Sequence, residues 1–310
     1  MVNSKNKMTI PPNRFKDKKL RNIREKIIEG VLFLAASVAV FTTVAIVFIL
    51  ITESWVFFEH VSIVEFLTGT EWTPLFENAK FGVLPLIAGT LVTASVALLV
   101  AIPLGLVVAI YLSEFAPHKV REAVKPFLEM LAGVPTVVYG YFALLMVTPA
   151  LQIIMPDLQG FNMLGPGLVI GIMIIPYISS VSEDAMRSVP MSLREGSYAM
   201  GATRFQTAVK VVLPAALSGV LAAFILGISR AVGETMVVAI AAGQQPNFTF
   251  DPTQPAATIT TYIVQVAMGD LPHDSIGYQS IFAVGLLLVL ITLVFNILGH
   301  MLRQRFREVY

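Results

Sequence analysis

Apolar runs at 30–52, 81–112, 127–147, 163–181, 215–242 and 281–302 alternate with polar segments along the chain. A helix needs about 20 apolar residues to cross the hydrocarbon of a bilayer, whereas a barrel strand needs about 10 of alternating character. These runs are continuous, so the pattern predicts six membrane-spanning helices. The first exceeds the about 7–15 apolar residues of a secretory signal and reads as an uncleaved span. The second contains Pro85, Gly89, Pro103 and Gly105 and is expected to kink and pack closely on its neighbours. The third is entered through Gly133-Val134-Pro135, with Glu129 at its margin, and the fourth is interrupted by Pro176. Between the last two runs, 258–268 has the pattern of a short amphipathic helix, expected at the interface near an entrance.

Composition agrees with the pattern. Of 310 residues, 56% are hydrophobic and 13% charged, with mean hydropathy +0.77; soluble domains carry about 25% charged residues. With no cysteine, disulfides, thiolate metal sites and Cys nucleophiles are excluded. The distribution of charge says more than the net +1. Nineteen of the 21 Lys and Arg fall in 1–29, 113–126, 183–214 and 303–310; Lys80 alone lies on the opposite side, and Arg230 lies inside a run. Positive charge concentrates on the cytoplasmic side, so both termini are expected there.

The polar segments are read in the same terms. The arm 1–29 (Lys5, Lys7, Arg14, Lys16, Lys18, Lys19, Arg21, Arg24, Lys26) has no interleaved aromatics, so it sets topology rather than binding nucleic acid. The tail 303–310 carries Arg303, Arg305 and Arg307. On the outer side, 53–80 is acidic (Glu53, Glu59, Glu65, Glu71, Glu77), and 243–280 carries Asp251, Asp270 and Asp274 with no Lys or Arg. Trp55 and Trp72 fit an interfacial belt. His60, His118, His273 and His300 are scattered and read as interfacial residues rather than metal ligands, and Glu183-Asp184 reads as a solvated face.

Arg230 and Glu234 stand inside the fifth run. Each costs about 2.5–3.5 kcal/mol to insert at mid-bilayer, so such residues face a polar interior. Four positions apart, they are expected to share one helix face. A guanidinium offers an oxyanion two parallel donors. Glu234 would hold that fork while the site is empty, with Gly233 and Thr235 allowing close packing and a hydroxyl contact. The competing reading is an Arg–Glu pair that only locks helices together. The chain contains no GxxxxGK[ST], HExxH or GxSxG, so it binds no ATP through a P-loop of its own. An intramembrane enzyme using Glu234 as acid or base lacks a partner at matching depth, and a channel or sensor would not need the motif described next.

Glu195, Gly201 and Val211-x-Leu213-Pro214 match the spacing E-A-A-x3-G-x9-I-x-L-P, departing at Gly196, Ser197 and Val211. This segment resembles the cytoplasmic coupling motif of permease subunits in ATP-binding cassette importers. Gly201 is expected to separate two short helices, and Pro214 to sit in the first turn of the fifth span. Further stretches resemble the phosphate-specific importer's permease subunit of the PstC type. They are Phe66-Leu67-Thr68-Gly69-Thr70-Glu71-Trp72, Gly89-Thr90-Leu91-Val92-Thr93, Glu114-Phe115-Ala116-Pro117 and Gly133-Val134-Pro135-Thr136-Val137-Val138-Tyr139-Gly140. Ile174-Ile175-Pro176-Tyr177-Ile178 and Arg230-Ala231-Val232-Gly233-Glu234-Thr235-Met236 continue them.

The resemblance implies an all-α integral membrane protein of the type I ABC importer permease (MetI-like) fold. It would have six transmembrane helices over 30–302, a core permease at about 81–302 and a cytoplasmic coupling helix-turn-helix within 183–214. It implies a homologous permease partner, two cytoplasmic P-loop ATPase subunits that use ATP and Mg, and an extracytoplasmic phosphate-binding protein, for which the acidic, Lys/Arg-poor loops 53–80 and 243–280 are the expected docking surface. Inorganic phosphate would be the cargo, Arg230, Glu234 and Thr235 its pathway, and Glu195, Gly201, Leu213 and Pro214 the coupling residues. No cofactor is expected on this chain. Import of another oxyanion, or the sibling permease role, remains open at this point.

Overall fold

A computed structural model describes residues 17–76, 78–273 and 275–305. Lys5, Lys7, Arg14, Lys16, Glu77, Asp274 and Arg307 lie outside these residues. The first helix, α1, runs unbroken from Asp17 to His60 (Asp17–His60). The chain divides into two compact units at Thr52, and the part of α1 before that point is a single helix, charged as far as Glu29 and apolar beyond it.

The second unit begins with the end of α1 and a short α2 (Ile63–Thr68). α3 (Leu84–Ile110) follows and is prolonged by one wide turn, Tyr111–Phe115. After α4 (His118–Ala132), a second broken-register helix is built from α5 (Thr136–Phe142), a wide turn at Ala143–Val147 and α6 (Thr148–Ile154). α7 (Leu164–Arg187) precedes the polar segment with α8 (Met191–Ala199), α9 (Arg204–Thr207), a wide turn at Ala208–Val212 and α10 (Leu213–Ala215). α11 (Leu217–Val232), α12 (Met236–Ala241), α13 (Ile259–Gln265) and α14 (Ile276–Arg305) complete the chain. Among the described residues five helices are long and apolar enough to cross a membrane, and six if the pair Arg204–Ala215 and Leu217–Val232, bent by 75°, is counted as one. The all-α, six-span architecture read from the sequence stands in this form.

Four local expectations change. The third span starts at Thr136 and ends at Ile154, not at 127–147. Residues 127–132 finish the amphipathic α4, where Arg121, Glu122, Lys125 and Glu129 interrupt the apolar positions. Pro135 caps the next helix and drives residue 134 away from helical geometry. Pro176 does not interrupt the fourth span. α7 continues through it, and Ser179 Oγ donates to the Pro176 carbonyl at 3.2 Å. Pro214 lies in α10, ahead of the 75° bend, so it precedes Leu217–Val232 instead of sitting in the first turn of that helix. Trp72 is 2% exposed rather than interfacial. It sits in an edge-to-face cluster with Phe66, Phe81 and Tyr262, while Trp55 stays exposed.

α7 and α3 form the centre of the bundle. Ala94, Ala97 and Ala101 of α3 pack on Ile170, Met173, Ile174 and Ile178. A Cβ added at Gly171 would lie 2.8 Å from the Ala97 carbonyl oxygen and 2.8 Å from Val100 Cβ. In lipid, apolar surface gives helices little reason to associate. Close backbone approach at small residues supplies the contact instead. α13 is buried through Ile259, Thr260, Thr261 and Tyr262, not laid on the surface. Its first N–H groups are met by a Thr258/Thr261 capping box and by Thr90 Oγ1, which accepts from the Ile259 N–H at 3.1 Å.

Candidate substrate pathway and coupling segment

The fifth span is broken where its charges stand. α11 stops at Val232, Gly233 caps it, and α12 starts at Met236. Arg230 is therefore in the last turn of α11, while Glu234 and Thr235 belong to the joint. The single shared helix face expected for Arg230 and Glu234 does not exist. The reason is local: Glu234 Oε1 accepts from the Val237 N–H at 3.2 Å, which starts a new helix instead of extending the old one. Thr235 Oγ1 donates to the Gly233 carbonyl at 3.3 Å. Thr260 Oγ1 of α13 donates to the Glu234 carbonyl at 2.8 Å, satisfying a backbone oxygen freed by the break. Glu234 is 7% exposed.

Arg230 is half-buried, and among the described residues no ion pair includes it. Its Cζ lies over the ring of Tyr177 on α7, 4.6 Å from the centroid. Its Nε is buried without a hydrogen-bond partner. The Tyr177 hydroxyl donates to the Ala132 carbonyl at 3.3 Å, and the Tyr139 hydroxyl donates to the Leu131 carbonyl at 2.8 Å. Two tyrosines thus anchor to carbonyls in the last turn of α4. Tyr177 and Thr260 were not singled out for this site from the sequence, because neither contact has a spacing signature.

The polar segment folds as two short helices about Gly201. That glycine has φ +83°, a left-handed conformation that ends α8, and a Thr203/Gln206 capping box starts α9. Glu195, Gly201 and Pro214 are exposed, and Leu213 is half-buried. Just before Glu195, Arg194 turns inward and is 8% exposed. Its Nη2 reaches Glu114 Oε1 at 2.9 Å and its Nε donates to Glu114 Oε2 at 3.3 Å. It also donates to the Val189 and Met186 carbonyls at 2.6 and 2.8 Å. One guanidinium thereby ties α8 to the ends of α3 and α7.

A second ion pair fastens α4. Lys125 Nζ lies 2.9 Å from Glu183 Oε2 and 2.8 Å from Asp184 Oδ1 on α7. The Asp184 hydrogen bond raises the Lys125 pKa above the ordinary lysine range; burial opposes it, and Glu183 adds to the rise. Glu183 is fully buried, so the solvated face expected for Glu183-Asp184 holds for Asp184 alone. Of the histidines, His273 meets the Tyr278 ring edge-on at 4.5 Å.

Residues 101–308 match the family described as binding-protein-dependent transport system inner membrane component. The chain belongs to that family. It is 34% identical over 307 residues to the probable ABC transporter permease protein YqgH of Bacillus subtilis strain 168, covering 98% of this chain and 99% of that protein. It is 33% identical over 262 residues to the phosphate transport system permease protein PstC of Mesorhizobium japonicum, covering 77% of this chain and 78% of that protein. The fold is shared with the bacterial alginate ABC transporter crystallised with an alginate pentasaccharide-bound periplasmic protein, with TM-score 0.64, 19% identity and coverage of 94% and 99%. The PstC-type resemblance read from the sequence is thereby established. This permease is a multi-pass inner-membrane transport component, not an enzyme.

Proposed function

We propose that this permease moves inorganic phosphate across the cytoplasmic membrane by alternating access, with both termini on the cytoplasmic side. The observation that carries the reading is Arg230. It is the one Lys or Arg inside an apolar run, it has no carboxylate partner among the described residues, and its Nε lacks an acceptor. A bare oxyanion does not partition into hydrocarbon, and a planar guanidinium supplies the donors that replace its water. The break at 233–235 supports the same reading, since irregular backbone at membrane depth is tolerated where it lines a cavity or is buried in protein. Similarity to PstC proteins supports phosphate as the cargo.

In this reading the chain pairs with a homologous permease and receives phosphate from an extracytoplasmic binding protein at 53–80 and 243–280. Two cytoplasmic ATPase subunits, using ATP and Mg, engage the segment bearing Glu195, Gly201, Leu213 and Pro214. Closure of the ATPases would move that segment as a rigid body, and the buried Arg194–Glu114 contact would pass the motion to α3. Arg230, Glu234 and Thr235 line the pathway. Phosphate uptake into proteoliposomes tests this. Arg230→Gln should abolish uptake while the complex still assembles, and Arg230→Lys should recover little because an ammonium lacks the two-donor fork. Uptake retained in Arg230→Gln would remove the basis of the reading.

A further inference from the structure

We infer that Tyr177 is a positioning residue for the substrate site: its ring face holds Arg230 in place while leaving the guanidinium edge open to the anion. The inference rests on the phosphate-pathway reading of Arg230. A cation at membrane depth needs a counterpart. The ready one, Glu234, is engaged elsewhere, its carboxylate accepting from the Val237 N–H and starting α12. The counterpart present is an aromatic face, with Arg230 Cζ 4.6 Å from the Tyr177 centroid.

The choice of partner matters chemically. A carboxylate would occupy the same N–H fork that an oxyanion uses, and the incoming anion would have to displace it. A ring attracts the cation through its quadrupole and takes no hydrogen bond from the fork. Among the described residues no side-chain hydrogen bond is made by Arg230; its Nε is buried without a partner, which leaves the Nη groups as the edge an anion would meet. The ring itself is fixed from the far side, because the Tyr177 hydroxyl donates to the Ala132 carbonyl at the end of α4. α4 is in turn tied to α7 through Lys125, Glu183 and Asp184. A phosphate therefore meets a guanidinium whose position is set by neighbouring helices.

The test measures phosphate taken up per ATP hydrolysed in the reconstituted complex of this chain with its sibling permease, ATPase and phosphate-loaded binding protein. A change that only loosens the fold lowers uptake and ATPase together and leaves their ratio unchanged. Tyr177→Leu should lower the ratio about tenfold, the size of a desolvated cation–ring contact. Tyr177→Phe keeps the face but loses the bond to the Ala132 carbonyl, so its ratio should fall less than that of Tyr177→Leu. Since leucine packs differently, trifluorophenylalanine at position 177 supplies a near-isosteric control; its fluorines drain the ring face, and the ratio should fall well below that of Tyr177→Phe. Equal ratios for the Phe and trifluorophenylalanine proteins would overturn the inference, as would a Phe variant as defective as Tyr177→Leu. Arg230→Gln in the same assay separates the two levels. If it keeps the ratio, the phosphate-pathway reading fails. If it collapses the ratio while the Tyr177 variants do not, only the role of Tyr177 fails.

Discussion

Arg194 and Glu114 meet through two nitrogen–oxygen contacts, at 2.9 and 3.3 Å, across 80 positions of sequence. Both are buried, and Arg194 also holds the Val189 and Met186 carbonyls. Removing one member of such a pair strands the other charge and typically costs about 3–5 kcal/mol. Arg194→Met should be the more damaging change, because it strands Glu114 and removes the donors to the Val189 and Met186 carbonyls together. Glu114→Gln keeps an acceptor and should cost less. Thermal unfolding of the purified complex checks the order; equal midpoints for the two variants would mean that the carbonyl contacts contribute nothing.

Gly201 invites a different test. Its φ of +83° costs a side-chain-bearing residue about 1–2 kcal/mol, and a Cβ there would meet nothing within 4 Å. Alanine and glutamate should therefore impose the same backbone cost. If the exposed turn seats in a partner groove, Gly201→Ala should keep transport while Gly201→Glu uncouples it. Uptake and substrate-stimulated ATPase in proteoliposomes measure this. Unchanged stimulation and uptake in Gly201→Glu would show that the turn does not contact the ATPase.

The Lys125 tether fixes the sign of one pH effect. Its folded pKa is raised above 10.5, so its contribution is complete below that value and is lost as pH rises through the folded pKa. Wild-type stability should therefore show an alkaline loss that Lys125→Met lacks, and the two proteins should diverge little in pH dependence near neutrality. Parallel alkaline curves would place no weight on this contact.

Much of the architecture was legible because its causes are local and repeated. Runs of about 20 apolar residues specify spans through bilayer thickness alone. Gly201 was legible from its place in a motif, and its positive φ gives the physical reason. The breaks were read less well. In 215–242, high hydropathy concealed a stop at Gly233 and a restart at Met236, although a glycine followed closely by an acid is itself a boundary signal. The end of α4, residues 127–132 with Glu129 as their single charge, was absorbed into a span for the same reason. The Arg194–Glu114, Lys125–Glu183 and Arg230–Tyr177 contacts were not legible at all. Each joins residues far apart in sequence, and their partners are selected by helix packing rather than by spacing.

The joint between α11 and α12 sharpens the choice between a substrate-bearing Arg230 and a merely structural one. If Arg230 and Glu234 were an ion pair locking helices, either single change would strand a charge, and Arg230→Met with Glu234→Leu would restore assembly and uptake together. No such pair is present among the described residues, and Glu234 instead caps α12 through Val237. The expected outcome is therefore different for each variant. Glu234→Gln retains a side-chain acceptor for the Val237 N–H and should assemble normally, with impaired uptake if its charge helps release the anion. Glu234→Leu loses the acceptor for the Val237 N–H, worth about 1 kcal/mol, and should lower the yield of complex modestly. The double variant should show that same yield and no uptake, since nothing replaces the guanidinium. Yield and phosphate uptake measured side by side for the three proteins decide the matter, and recovered uptake in the double variant would return Arg230 to a structural role.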